Sequence, residues 1–404
     1  MDIKKIREDF PILSQELYGK PLIYLDSACM SLKPKQVISV MNEYYHDHPA
    51  CGGRSVHKLG TKVTIRCDSA RERIREFLSA EESKEIVFTR NTTEGINLVA
   101  RCFDFKKGDV VLTTDREHNS NLAPWHIIKQ LKGIKHEVIP SNDDNTFNLE
   151  AFEERMGKDV RMVSMVHTSN LEGYTIPAKD IIKIAHDHGA KVMLDGSQSA
   201  AHSKIDVQNL DVDFFTFSIH KMCGPTGMGI LYGKYDDLKD LSPFIVGGDT
   251  IHKTTYDSSE FLDPPQRFEA GLQNYSGIMG SGAATQYLFK IGMDNIQKHE
   301  MKLNKIITSK LKGIPQVQIL GPQEPEKRAG IVSFTVDDMD PHDIALILDE
   351  AANIMIRSGM HCVHSWFQSR GINGSARASV YLYNTEDEAK VFGETLEEVV
   401  GKIG

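Results

Sequence analysis

Short apolar, β-prone runs recur along the first half of the chain, between about Asp26 and Gly233: EIVFT, DVVLTT, RMVSMVH, KVMLD, DFFTFS and GILYG. Between them lie helix-length segments such as TKVTIRCDSARERIREFLSA and AKDIIKIAHDHGA, whose apolar residues fall near a 3.6-residue period. That alternation predicts an α/β fold with a mostly parallel, doubly wound sheet. A run such as KVMLD has no polar face, so it reads as a strand covered on both sides. After Gly247-Gly248 the alternation lapses into a polar stretch that reaches EAGLQN near Gly271, which predicts a loop or arm. A long helical run from about Ser276 to Leu311 follows, then GIVSFTV, a helix from Pro341, ARASVYLY, and a last helix after Asn384-Thr385. The expected division is a large α/β domain over residues 15–270 and a smaller α+β C-terminal domain over 271–404, with residues 1–14 packing on the latter.

Length and composition narrow the function classes. A chain of 404 residues exceeds the size at which one hydrophobic core stops growing, which agrees with two domains. With 40% hydrophobic and 25% charged residues it reads as an ordinary soluble globular protein. The formal net charge of -9, with no basic stripe, argues against a nucleic-acid binder. The start, MDIKKIREDF, is charged, and no apolar run approaches membrane-spanning length, so the expectation is a cytoplasmic protein without a membrane partner. Six cysteines without CxxC pairs signal neither a disulfide framework nor zinc spacing.

The candidate chemistry gathers where strands should end. Lys221 closes DFFTFSIHK, just before the turn GPTGMG. An amine held there, partly desolvated, loses its proton readily and can attack an aldehyde cofactor; the rival reading is a surface lysine before a turn. Asp195 ends KVMLD, beside Gln198 in LDGSQSAAH. Its carboxylate could hold a pyridine nitrogen protonated, or merely close the strand. Gln198 could donate to a phenolic oxygen or satisfy backbone. Thr92 and Thr93 open a helix in TRNTTEGINLVA, which suits either a phosphate site or plain N-capping. Ser218 and His220 could add donors to the same phosphate if their strand end lies nearby. His118, in TTDREHNSNLAPW, could stack on a flat cofactor and relay protons, or be a solvated loop histidine. Cys362 lies in a polar loop with Arg357, His361 and His364, whose character favours thiolate; a metal cluster, a disulfide or a silent surface thiol compete. Arg377 could clamp a carboxylate or form a surface ion pair.

Nine segments stand together in one order: YLDSA, TTEGINLVA, EHNSNLAPW, HTSNLEG, LDGSQSAAH, SIHKMCGPTGMG, RFEAG, RSGMHC and ARASVYLYNTEDE. In that order and spacing the chain resembles the group II cysteine desulfurases and selenocysteine lyases of the class V aminotransferase superfamily, which are fold-type I pyridoxal-phosphate enzymes. The resemblance implies pyridoxal 5'-phosphate bound covalently to Lys221, with Asp195 under the pyridine nitrogen, Gln198 near the phenolic oxygen and His118 stacked on the ring. It makes Thr93, Ser218 and His220 phosphate ligands, and Asn170 and Arg377 the holders of the substrate carboxylate. Arg357 matches the family's arginine before the nucleophile, and Cys362 the nucleophile itself. It also implies L-cysteine as substrate, alanine and a Cys362 persulfide as products, and a homodimer. The expected acceptor is a sulfur-receiving protein such as an iron–sulfur scaffold or a transpersulfidase. Selenocysteine lysis, another class V reaction, and a carrier that has lost turnover are the alternatives.

Three departures accompany the resemblance. Gly53 precedes Arg54 where many members have histidine, with Cys51 nearby. Leu272 stands after RFEAG where a threonine is common. His364-Ser365-Trp366-Phe367 replaces the usual proline and apolar pair beyond Cys362.

Overall fold

Seven strands take up the apolar runs in the computed structural model, which describes residues 1–403. In chain order they are β1 (Ile86–Thr89), β2 (Val110–Thr114), β3 (Lys135–Ile139), β4 (Val160–Val166), β5 (Lys191–Asp195), β6 (Phe214–Ser218) and β7 (Gly229–Gly233). Their spatial order is β1-β7-β6-β5-β4-β2-β3. Strands β2 to β6 pair parallel, whereas β7 is antiparallel to both β6 and β1. Because β7 reverses direction twice over, β1 runs the same way as β6, and its carboxyl end joins the others at one edge. That edge is where an open α/β sheet gathers its ligands.

The central strands are buried on both faces, as their unbroken apolar runs require: Val192, Met193 and Leu194 of β5 and Phe214, Phe215 and Phe217 of β6 are fully covered. The edge strand β3 has a polar sequence, KHEVI, and is largely uncovered. Its weak apolar signal kept it out of the strand pattern read from sequence. Close approach at two points demands glycine. A Cβ on Gly196 would lie 2.0 Å from Phe215 Cζ, and one on Gly229 would lie 2.5 Å from the Asn91 backbone.

A second, antiparallel sheet is formed by β8 (Val317–Ile319), β9 (Ile331–Val336), β10 (Arg357–Gly359) and β11 (Ser375–Ser379), in the order β8-β9-β11-β10. The helical run expected from Ser276 to Leu311 is two helices, Tyr275–Ile291 and Met293–Lys312. Gly292, at φ 87°, separates them, a conformation that ends a helix and that glycine adopts without strain. The polar stretch after Gly248 carries a small hairpin, Ile251–Thr254 with Ser259–Phe261, most of it exposed.

The apolar clusters are shared between distant parts of the chain. Ile278 and Leu288 of the first of those two helices join the large-sheet cluster, whereas Ile23 and Leu25 join the cluster of the second sheet. Near the start, Phe10 packs edge-on against Tyr287 and Tyr383, and Arg7 donates to the Tyr383 carbonyl and pairs with Glu388. The N-terminal segment thus packs at once on the first of the two long helices and on the segment that follows β11. Among the described residues no helix is long and apolar enough to cross a membrane.

Candidate active site

All twelve residues singled out from sequence line one cavity of about 260 Å³: Thr92, Thr93, His118, Asn170, Asp195, Gln198, Ser218, His220, Lys221, Arg357, Cys362 and Arg377. They arrive from both sheets. The ends of β1, β2, β4, β5 and β6 supply those up to Lys221, and the second sheet with its loop supplies the rest.

The helix Thr92–Cys102 begins at the cavity, capped by Asn91, whose Oδ1 accepts from Glu94 N at 3.0 Å. The Thr92 amide donates to Ser218 Oγ at 2.9 Å, and Thr92 Oγ1 lies 2.8 Å from Ser197 Oγ and 2.7 Å from Ser218 Oγ. Thr93 Oγ1 lies 2.7 Å from Ser120 Oγ. Hydroxyls thus collect at a helix N-terminus, where backbone donors and the helix dipole favour an anion. Only one strand, β7, separates β1 from β6, which is what brings Thr92 and Ser218 into contact.

Lys221 sits beyond β6 in a short 3-10 turn. Desolvation by the surrounding protein pushes its amine below the ordinary lysine value, against the attraction of Asp195 and with the help of Arg377. The neutral, nucleophilic form is thereby favoured. Asp195 is buried and accepts from Ser197 N at 2.9 Å through Oδ1. His118 is pushed down to about 4 by burial and by Lys221. Its Nδ1 accepts from Ser120 N at 3.0 Å, so the neutral ring carries its proton on Nε2. His220 is likewise held neutral, pushed down to about 4 by burial and Lys221. Gln198 donates to the Ala28 carbonyl at 2.8 Å, and its Oε1 is buried without a partner.

On the opposite side, Arg377 is 3% exposed and donates to the Asn170 carbonyl at 2.8 Å and to Asp26 Oδ1 at 3.4 Å, while its Nε has no partner. Asn170 donates to the His361 carbonyl at 2.8 Å and keeps an unpartnered Oδ1. Cys362 is exposed, at φ 59°, and its carbonyl accepts from Asn119 N at 2.7 Å. Behind it Val363, Trp366 and Phe367 bury themselves with Leu171 and Leu320, so the sequence that replaces the family's apolar pair anchors the loop.

The surroundings of Cys362 differ from the pattern read in sequence. Arg357 donates to Cys29 Sγ at 3.3 Å rather than to Cys362. His361 turns Nε2 to Ser375 Oγ, and His364 turns Nδ1 to Asn119, so neither ring is directed with Cys362 at a shared metal. Among the departures, Leu272 is largely exposed, Arg54 pairs with Asp249, and Cys51 lies 3.6 Å from the Tyr275 hydroxyl, outside the cavity.

Four functional neighbours carried no separate signal. Asp26 pairs with Arg377 and was visible only as part of YLDSA. Ser197 joins Asp195 to Thr92. Glu117, fully enclosed and pushed up to about 7 by burial, accepts from Thr114, Asn121 and Val166 N and so ties the His118 turn to the end of β4. Cys29 lines the cavity beside Arg357, and nothing in its local sequence pointed there.

The family model for Aminotransferase class-V matches residues 23–392. A protein of Halalkalibacterium halodurans named a probable cysteine desulfurase is 41% identical over all of this chain and 99% of its own length. Among solved structures, an apo cysteine desulfurase from Thermococcus onnurineus matches with a TM-score of 0.94 and 38% identity, covering 99% of this chain and 98% of that one. The cysteine desulfurase CsdA of Escherichia coli matches with a TM-score of 0.92 and 30% identity, covering 100% and 99%.

Proposed function

Since the chain belongs to the class-V aminotransferase family, we propose that it is a cysteine desulfurase that uses pyridoxal 5'-phosphate to convert L-cysteine to L-alanine, leaving the sulfur as a persulfide on Cys362. The observation that carries this reading is the convergence of Lys221, Asp195, His118 and Cys362 on one cavity. The site fits the cofactor. A helix N-terminus ringed by Thr92, Thr93 and Ser218 suits the phosphate, and the buried Asp195 suits a protonated pyridine nitrogen. Gln198, held by its donation to the Ala28 carbonyl, keeps a buried Oε1 without a protein partner at the same cavity.

When bound, the cofactor supplies an electron sink that lets the Cα proton of cysteine leave. Lys221, its amine pushed toward the neutral form by burial, would hold the cofactor's aldehyde carbon and would serve as the base for that proton. Asp195 would hold the proton on the ring nitrogen. Arg377, with its unpartnered Nε, would hold the substrate carboxylate beside Asn170, whose main-chain carbonyl already accepts from the same guanidinium. His118 would lie against the cofactor ring and, with Nδ1 accepting from Ser120 N, would present its Nε2 proton to the cavity. The Cys362 sulfur would attack the substrate sulfur as the Cβ–S bond breaks and leaves its electron pair on carbon, and protonation of that carbon would give alanine.

Exposure of Cys362 supports onward transfer to a separate acceptor protein, such as an iron–sulfur scaffold or a transpersulfidase. Exposed Val56, Ile245, Val246 and Leu272 support a homodimer in which a second copy covers them. The test is direct. Protein loaded with pyridoxal phosphate should release alanine and, with a thiol reductant, sulfide from L-cysteine; alanine formed without sulfur on Cys362 would contradict the reading.

A further inference from the structure

The cavity holds two thiols. Cys29 follows the Asp26 segment from the second sheet's side of the cleft, half-buried, and Cys362 enters on its loop. Arg357 Nη1 donates to Cys29 Sγ at 3.3 Å and lies 4.0 Å from Asp26 Oδ2, so one guanidinium is held between a carboxylate and this sulfur. That position puts a donor and a positive charge directly beside the sulfur. Both cysteines line the same cavity as Lys221. Arg377 and Asn170, which keep a buried Nε and Oδ1 without a protein partner, line the same cavity.

The other cysteines have no such setting. Burial pushes the Cys67 and Cys223 thiols up to about 12 and the Cys102 thiol up to about 11, which keeps them protonated. Cys51 lies by Tyr275 outside the cavity. Cys29 therefore stands apart as a second thiol with a cationic donor inside the reacting space.

We infer that Cys29 is a second sulfur carrier of this site, receiving the terminal sulfur from the Cys362 persulfide. The inference rests on the desulfurase reading above. The Cys29 thiolate attacks the terminal sulfur of Cys362–S–SH. A new S–S bond forms at Cys29, the old one breaks, and its electron pair leaves with the Cys362 sulfur as thiolate. The proton stays on the transferred sulfur, and the exchange needs no oxidant or reductant. Cys362 is then free for another turnover, while Arg357 stabilises the attacking thiolate.

The experiment is persulfide mapping. Pyridoxal-phosphate-loaded protein is mixed with L-cysteine without reductant, quenched with an alkylating agent over a time course, digested and weighed. The expected result is a Cys362 peptide one sulfur heavier, followed by a Cys29 peptide one sulfur heavier. Cys362→Ser should leave Cys29 unloaded. The alanine burst should be about twofold larger in the unmodified protein than in Cys29→Ser, because the relay vacates Cys362 once. Sulfur confined to Cys362 with equal bursts overturns the relay while leaving the desulfurase reading intact. A Cys29–Cys362 disulfide with sulfide released, or Cys29 loaded in Cys362→Ser, also overturns it. No alanine and no loaded cysteine in the unmodified protein would instead overturn the desulfurase reading, and the relay with it.

Discussion

The two walls of the cleft are built by different physics. On the large-sheet side, Thr92, Asp195, Gln198 and Ser218 are buried at strand ends and locked by short contacts to one another or to backbone. On the other side, Arg357 and Cys362 are exposed, and the loop is fixed through its carbonyls by Asn119 and Asn170 rather than through its reactive side chain. The difference separates two tasks. Under the proposed reading, a cofactor needs a rigid, preorganised cradle, whereas a sulfur carrier must reach a substrate inside and an acceptor outside.

Changes to the reacting groups break the comparison most strongly. Lys221→Ala should lower alanine formation by about 10²–10⁴-fold or more and abolish covalent retention of the cofactor, read by alanine assay and by dialysis with absorbance. Cys362→Ala should act on the other wall alone. It keeps the cofactor's absorbance, and the mapped protein carries no persulfide at that position; a variant that loses the cofactor would show that the two walls are not independent.

Much of the first wall was legible in the sequence because each of its residues sits at the end of an apolar run: Asp195 after KVML, Lys221 after DFFTFSIH. The run predicts a strand, and the strand's carboxyl end predicts the address. What the runs could not show is that β7 reverses between β1 and β6, which alone brings Thr92 onto Ser218. The second wall was legible only in part. Arg357 is close to Cys362 in sequence, yet the antiparallel pairing of β10 with β11, which aligns Arg357 with Arg377, turns it toward Asp26 and Cys29. Cys29 lies more than three hundred residues away along the chain, with 328 separating it from Arg357, and only the folded cleft reveals the pair. Gly292 was readable as a helix breaker by type, but the apolar periodicity on both sides of it runs through without a gap.

Smaller perturbations sharpen the contrast. Gly196→Ala adds a Cβ into the Phe215 ring beneath the first wall, and should destabilise the protein by about 1–3 kcal/mol in denaturant unfolding, with rigid packing leaving little room to relax. An equal stability would mean that this wall is softer than its packing shows. The weakest effect is on acid stability. His118, His167 and His220 have folded values of about 4 against an ordinary 6.5, so the unfolded chain binds more protons between those values. Their contribution is complete above about 6.5 and is lost as pH falls toward 4. The denaturation midpoint should therefore drop across that window, and His118→Gln should flatten the drop in part.

The central claim is that Lys221 is the covalent anchor of the cofactor. Borohydride reduction of the pyridoxal-phosphate-loaded protein, followed by digestion and mass mapping, tests it most directly. The account predicts the reduced pyridoxyl label on the peptide that contains His220-Lys221-Met222. A label on any other lysine, Lys33 at the His220 carbonyl included, or no label at all, would contradict it.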